Sequence, residues 1–252
     1  MHRISLIFSA NITTKICNPG LAKSTNKKQN IWLLIPLFGT IIFACLYFVA
    51  TLFYPGGSQV DQDSKGFSWI NNYWCNLLNE SAMNGQHNFA KPIALTAMCI
   101  LCFTLAYFWY IFSRRAYLKR SNRLMVQVAG TFAMITCVFI FTGFHDTIVN
   151  MAGFFGMIAM TGTFIGLYKL NWKSLFWLGI FNLVLIIVNN ILYYGEGLKL
   201  YLPLVQKITF LFFLIWICLI DINLFRKANS KIVYNENEQW LKLYWYKQKP
   251  LE

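Results

Sequence analysis

The sequence predicts an all-α, polytopic integral membrane protein: a helix bundle of six transmembrane helices with both termini cytoplasmic. Three observations carry that prediction. Of the 252 residues, 57% are hydrophobic and only 12% charged, where a soluble domain is about half apolar and a quarter charged. The apolar residues are gathered into six runs, each near the roughly 20 residues a helix needs to cross a bilayer. The basic residues fall almost entirely in alternate connections between those runs. The spans are expected near residues 31–54, 92–112, 124–144, 147–168, 174–194 and 203–220. They divide the chain into a cytoplasmic tail, 1–30, a six-span membrane domain, 31–225, and a second cytoplasmic tail, 226–252.

The net charge of +13 is a topology signal. Cytoplasmic loops of membrane proteins collect Lys and Arg. With the N-terminus inside, 18 of the 22 basic residues lie on the cytoplasmic side, and only Lys65, Lys91, Lys199 and Lys207 lie on the other. The acidic residues Asp61, Asp63, Glu80, Asp146 and Glu196 fall outside, as do His87 and His145. A charge so distributed excludes nucleic acid as a partner and leaves membrane lipids.

Residues 1–10 hold one basic residue and a short apolar run at the lower limit for a signal peptide. With the Lys-rich stretch that follows, they read as a cytoplasmic extension. The first span opens at Ile31 with Trp32 at the interface and Pro36 in its first turns, where proline does little harm. Residues 55–91 form the longest outer connection, opened by the turn signal Pro55-Gly56-Gly57. Within it Phe67, Ile70, Tyr73, Trp74, Leu77 and Leu78 recur at helical spacing, opposite Ser68, Asn72, Cys75, Asn76 and Asn79. That pattern predicts an amphipathic outer helix lying on the membrane face or capping the bundle.

Span two begins at Pro92, a good first-turn residue, and the basic loop RRAYLKRSNR follows it. Span three carries Gln127, Thr131 and Thr136 and reaches the outer face at His145-Asp146. Span four holds Ala152-x-x-x-Gly156 and Gly162-x-x-x-Gly166; small residues one turn apart let helices approach closely in lipid. It is expected to be the central, tightly packed helix, with a homo-oligomer seam as the other use of its small-residue face. Span five places Asn182, Asn189 and Glu196 at seven-residue spacing on one face. Span six starts at Pro203, with Gln206 and Lys207 in its first turns. Seven cysteines, five of them inside spans, behave as small apolar residues and make no disulfide framework.

The polar residues of the outer side are the candidate site. His145 and Asp146 are the candidate catalytic pair, because charged groups so close to hydrocarbon need a reason to be there. His87, Asn150, Asn189, Asn190 and Glu196 are the candidate ligand-binding residues, and Lys207 is a candidate partner for Asp146 or Glu196. His87, His145 and Asp146 offer N and O donors of the kind zinc takes, or a general acid and base. The spacing supplies no His-x-x-x-His or His-Glu-x-x-His motif, so a metal is not expected and no cofactor is expected. A helix cap held by an ion pair is the structural reading of the His145-Asp146 turn.

Residues 54–92, YPGG…D…GFSWINNYWCNLLNE…NG…N…KP, resemble a bacterial family of six-span membrane proteins catalogued as domain of unknown function 998 and placed near the Frag/DRAM-type proteins. There too the first span ends in a Pro-Gly turn followed by a Ser- and Asn-bearing amphipathic segment. The resemblance extends over residues 31–225. It implies the fold and a multi-pass location in the bacterial cell (inner) membrane, and no activity. A more distant likeness, to the ceramidase- and adiponectin-receptor-like intramembrane zinc hydrolases, implies seven spans and paired histidines in the last one; this chain has six runs and no histidine after His145.

The expected function is therefore a membrane protein with an outward polar pocket under an amphipathic cap, binding a lipid or small ligand. The alternative is an intramembrane lipid hydrolase, metal-dependent or not. A secondary transporter is the weaker alternative, because the two halves show no clear repeat and no span has a mid-membrane Gly/Pro break.

Overall fold

The structure, a computed structural model, describes residues 31–247 apart from Phe141, Gly143 and Glu196, and side chains as far as Ser230 apart from that of His145. The expected N-terminal tail 1–30, Glu196 and the His145 side chain thus lie outside the described residues.

Among the described residues the chain is helical, with no strand. The helices are α1 (Ile35–Leu52), entered through a 3-10 turn at Ile31–Leu34, α2 (Lys91–Arg115), α3 (Arg120–Val138), α4 (His145–Lys169), α5 (Lys173–Tyr194) and α6 (Leu202–Lys247). Five segments are long and apolar enough to cross a membrane: Ile31–Leu52, Lys91–Arg115, Asp146–Lys169, Lys173–Tyr194 and Leu202–Ser230. The remaining helix, α3, has a polar first half with Arg120, Arg123 and Gln127. It ends at Val138, short of the expected end of span three at residue 144. At the other extreme α6 runs unbroken through the expected end of span six and along the C-terminal tail to Lys247.

The central helix is α2, where span four was expected. Half of the most apolar window of α2 is buried, against 28% for α4. Residues Ala94 and Ala97 let neighbours close on it, while Phe108, Trp109 and Phe112 fill the space between α1, α3 and α4. Gly39 of α1 meets it so closely that an added Cβ would lie 2.1 Å from the Thr104 hydroxyl. On α4 the two small-residue motifs part company. A Cβ on Gly162 would lie 2.0 Å from Val126 of α3, and one on Gly166 would lie 2.7 Å from Phe112 of α2, so these two do permit close packing. A Cβ on Gly153 or Gly156 would meet nothing within 4 Å. The expected packing role of Gly156 is therefore corrected: the residue borders open space, with no atom within 4 Å for an added Cβ to pack against.

Packing runs from α1 through α2 and α3 to α4, and from α5 through α6 back to α1. Contact between α4 and α5 is sparse. Phe164 and Phe176 meet edge-on, ring centroids 5.4 Å apart, near the end of the bundle where the short α4–α5 turn lies. There Trp216 of α6 also donates to the Leu175 carbonyl at 2.8 Å.

The amphipathic outer helix is a second correction. Residues 53–90 fold into a compact irregular cap whose only helical turn is Trp74–Leu78. Two isolated bridges, Gly56 with Lys65 and Ser81 with His87, close its loops. Asn72, on the polar arc of the supposed helix, and Asn88 beyond it bind backbone instead, the competition that keeps Asn out of helix interiors. The Asn72 amide donates to the Gly57 carbonyl and accepts from Ser68 N–H, both at 2.8 Å. The Asn88 amide donates to the carbonyls of Asn76, Leu77 and Asn79 and accepts from Ala90 N–H. Gly57 sits at φ +82°, where a side chain would lie 2.3 Å from the Asn84 nitrogen, so only glycine closes this turn. An aromatic cluster holds the cap to the bundle: Trp74 packs edge-on against Tyr47 of α1, and the Tyr47 hydroxyl donates to the Trp74 carbonyl at 3.1 Å.

Candidate functional site

The sequence-derived candidates do not all converge. His87 lies on the cap surface, in the Ser81 bridge, its ring edge-on to Phe89 with centroids 5.0 Å apart. Nearby, Lys91 at the start of α2 is ion-paired with Glu80. The hydrogen bond and charge of Lys91 hold the exposed Glu80 carboxyl below its ordinary value. Asn150 is exposed on α4. Asp146, in the first turn of α4, is hydrogen-bonded to Tyr193 near the end of α5. Among the described residues, no three His, Cys, Asp or Glu side chains are grouped so as to hold a metal ion.

Lys207 has a different partner from the one expected. It is buried, and its ammonium donates to the carbonyls of Asn72 and Pro203. The same group lies 5.6 Å above the Phe67 ring and 5.8 Å above that of Trp74. Carbonyl dipoles and aromatic faces thus stabilise the cation where it leaves water, and the residue serves to fasten the cap to α6.

Asn189 and Asn190 do come to one place. They line a cavity of about 410 Å³ inside the bundle. Its walls are Met98, Leu101, Cys102, Leu105 and Trp109 of α2, Met134 and Cys137 of α3, Gly153, Gly156, Met157 and Met160 of α4, and Ile186 of α5. Ile140, just beyond the end of α3, and Gln206, Thr209, Phe210 and Phe213 of α6 complete it. The polar members gather toward the cap end, Asn189 and Asn190 about a turn and a half from the end of α5 and Gln206 about a turn into α6. Everything deeper is apolar. The volume falls within the roughly 300–1,000 Å³ of small-molecule sites, and four methionines give walls that adapt to shape.

The cavity reaches the surface between α4 and α5. Gly153, Met157 and Asn190 both line it and are exposed. This window is framed at the cap end by Asp146 and Tyr193 and at the far end by Phe164 and Phe176. It faces sideways, the direction from which lipid would enter. Comparison of the chain with protein-family models, curated proteins and solved structures finds no match in any of the three. Function is therefore read from the cavity.

Two occluded polar atoms of its lining residues have no partner among the described residues. The Asn189 amide nitrogen donates to the Leu185 carbonyl at 2.9 Å and to the Thr209 hydroxyl, and Thr209 passes its own proton to the Val205 carbonyl at 2.8 Å. Both amide hydrogens are thereby used, and Asn189 Oδ1 is buried with nothing bonded to it. Gln206 Oε1 is in the same condition. Sequence spacing singled out Asn189, but not the pairing of α5 with Gln206 and Thr209. The only local trace of the cavity was the abundance of Met in spans two to four.

Proposed function

We propose that this chain is a six-span protein of the bacterial inner membrane, both termini cytoplasmic, that binds a membrane lipid inside its bundle. On the motif of residues 54–92 it is also proposed as a member of the family catalogued as domain of unknown function 998. The observation that carries the lipid reading is the apolar cavity with its sideways window between α4 and α5. A water-borne ligand would need a route through the cap, which is packed with buried asparagines and aromatic rings. A lipid chain needs only to slide between two helices that barely touch.

Native mass spectrometry of the protein released from its membrane tests this. The parent should carry a lipid-sized adduct, and Gly156→Phe, whose ring would occupy the open space beside residue 156, should lose it. A parent without an adduct, or a variant with the same adduct, would refute the reading. Topology is tested separately: reporter fusions at Ser121 and Lys231 should be cytoplasmic and one at Ser64 should not, following the basic asymmetry of the loops.

A further inference from the structure

We propose that the outer mouth of the window between α4 and α5 holds the head group of a zwitterionic phospholipid bearing a primary ammonium, with one acyl chain in the cavity. The proposal rests on the lipid reading above and adds the chemistry of the head group.

The mouth is built around Tyr193. Its hydroxyl donates to the carboxylate of Asp146, in the first turn of α4. The Lys199 ammonium lies over its ring, 5.6 Å from the centroid. An acid and a base thus stand about one side chain, and all three residues are exposed. Among the described residues Lys199 has no ion-pair partner, so the two charges do not neutralise each other by contact. The cap steadies the base: Lys199 lies in the 3-10 turn Leu198–Leu200, and the Tyr73 hydroxyl donates to its carbonyl at 3.4 Å.

Charge complementarity selects the head. A head with a phosphate and no cation would set negative charge beside Asp146, and an uncharged head would leave both groups unmatched. A zwitterionic head offers its ammonium to Asp146 and its phosphate to Lys199. A carboxylate has about four acceptor sites and an ammonium three donors, so each can hold the head beside its contact with Tyr193. A quaternary ammonium has no N–H to donate and is recognised through aromatic faces, and here the ring already carries Lys199. The arrangement therefore favours a primary ammonium.

Position agrees. Tyr193 stands three residues beyond Asn190 on α5, and Asp146 seven residues before Gly153 on α4. Asn190 and Gly153 line the cavity and are exposed at the window. The charged groups thus lie one to two turns, roughly 5–10 Å of helix, above the opening. Exposed Tyr194 and Tyr201 nearby in the chain mark the membrane interface, the level of lipid head groups. The cavity below has no charged residue in its lining, as an acyl chain requires.

The test mixes the full chain in micelles with equal amounts of dioleoyl phosphatidylethanolamine, phosphatidylcholine and phosphatidylglycerol. Native mass spectrometry reads the bound lipids, and adducts that persist in Gly156→Phe are subtracted. The parent should hold the ethanolamine lipid about fivefold over the glycerol lipid, the step expected of one exposed ion pair, and should also hold it over the choline lipid. Asp146→Lys should reverse the order in favour of the glycerol lipid. Lys199→Glu should weaken all three, since each carries the phosphate. The parent's own ratios do not depend on either variant folding. Equal binding of the three lipids by the parent, a parent preference for the choline or glycerol lipid, or an order unmoved by Asp146→Lys overturns the head-group proposal and leaves the lipid reading standing. Absence of any adduct that Gly156→Phe removes overturns the lipid reading itself.

Discussion

Asn88 and Asn189 are the same side chain in two settings, one buried in the cap and one half-buried in the bundle, and they meet different fates. Asn88 has three carbonyls for its amide hydrogens and one N–H for its oxygen. Asn189 places its hydrogens and leaves its oxygen bare. The cap backbone is irregular, so its carbonyls and N–H groups are at hand for side chains. In the bundle the helices have already used nearly all of theirs, and a side chain can reach little beyond the carbonyl one turn back. Asn88 therefore completes the fold of the cap. In the bundle, Asn189 Oδ1 stays without a partner among the described residues.

The largest expected effect tests that contrast directly. Asn88→Ala should lower the stability of the protein in mixed micelles by roughly 4 kcal/mol, since it strands several buried backbone groups at ~1–3 kcal/mol each. Asn189→Leu should change it by no more than about 1 kcal/mol, because it removes an unpaired acceptor together with the bond to Thr209. Equal losses for the two would erase the distinction between cap and bundle.

Next come the glycines of α4. Gly162→Ala should cost about 2 kcal/mol through its clash with Val126. Gly156→Ala, into open space, should gain up to ~1 kcal/mol from helix propensity. Thermal melting of the two variants beside the parent checks the opposite signs, and a loss in both would mean that the cavity wall is closed.

A third test concerns Asp221 of α6, fully buried, with neither carboxyl oxygen partnered among the described residues. By the logic of the bundle, Asp221→Leu should raise stability by about 1–2 kcal/mol, as an apolar side chain suits that place better. Destabilisation in the same unfolding assay would show that the carboxyl is satisfied as Asn72 and Asn88 are.

The smallest effect belongs to the exposed pair Glu80–Lys91. Glu80 is held below its ordinary value by Lys91, so its contribution is present above the unfolded carboxyl value, about 4.3, and is lost as pH falls through the lower folded value. The melting temperatures of the parent and Glu80→Gln should differ slightly at pH 7 and converge in acid. High salt should also shrink the difference.

Most of the helical architecture could be read from the sequence by itself, because hydrophobic run length and helix-breaking residues are properties of the local chain. Five apolar runs form long apolar helices close to where they were expected. The seven-residue spacing of Asn182 and Asn189 marked a polar face on α5, and both are at least partly buried. The tertiary structure decided what stood opposite each face. Phe67, Ile70, Trp74 and Leu77 have helical spacing, yet the segment folds as an irregular cap, because Asn72 and Asn88 find backbone partners up to 15 residues away. Gly156 and Gly162 belong to like motifs on one helix, yet only Gly162 has a neighbour against it. Gln206 stood out only as a polar residue in the first turns of span six and Thr209 not at all, and both join Asn189 only through the pairing of α5 with α6. Periodicity identifies a buried face. It does not reveal whether that face meets a helix, a carbonyl or an empty space, since those come from residues far away in the chain.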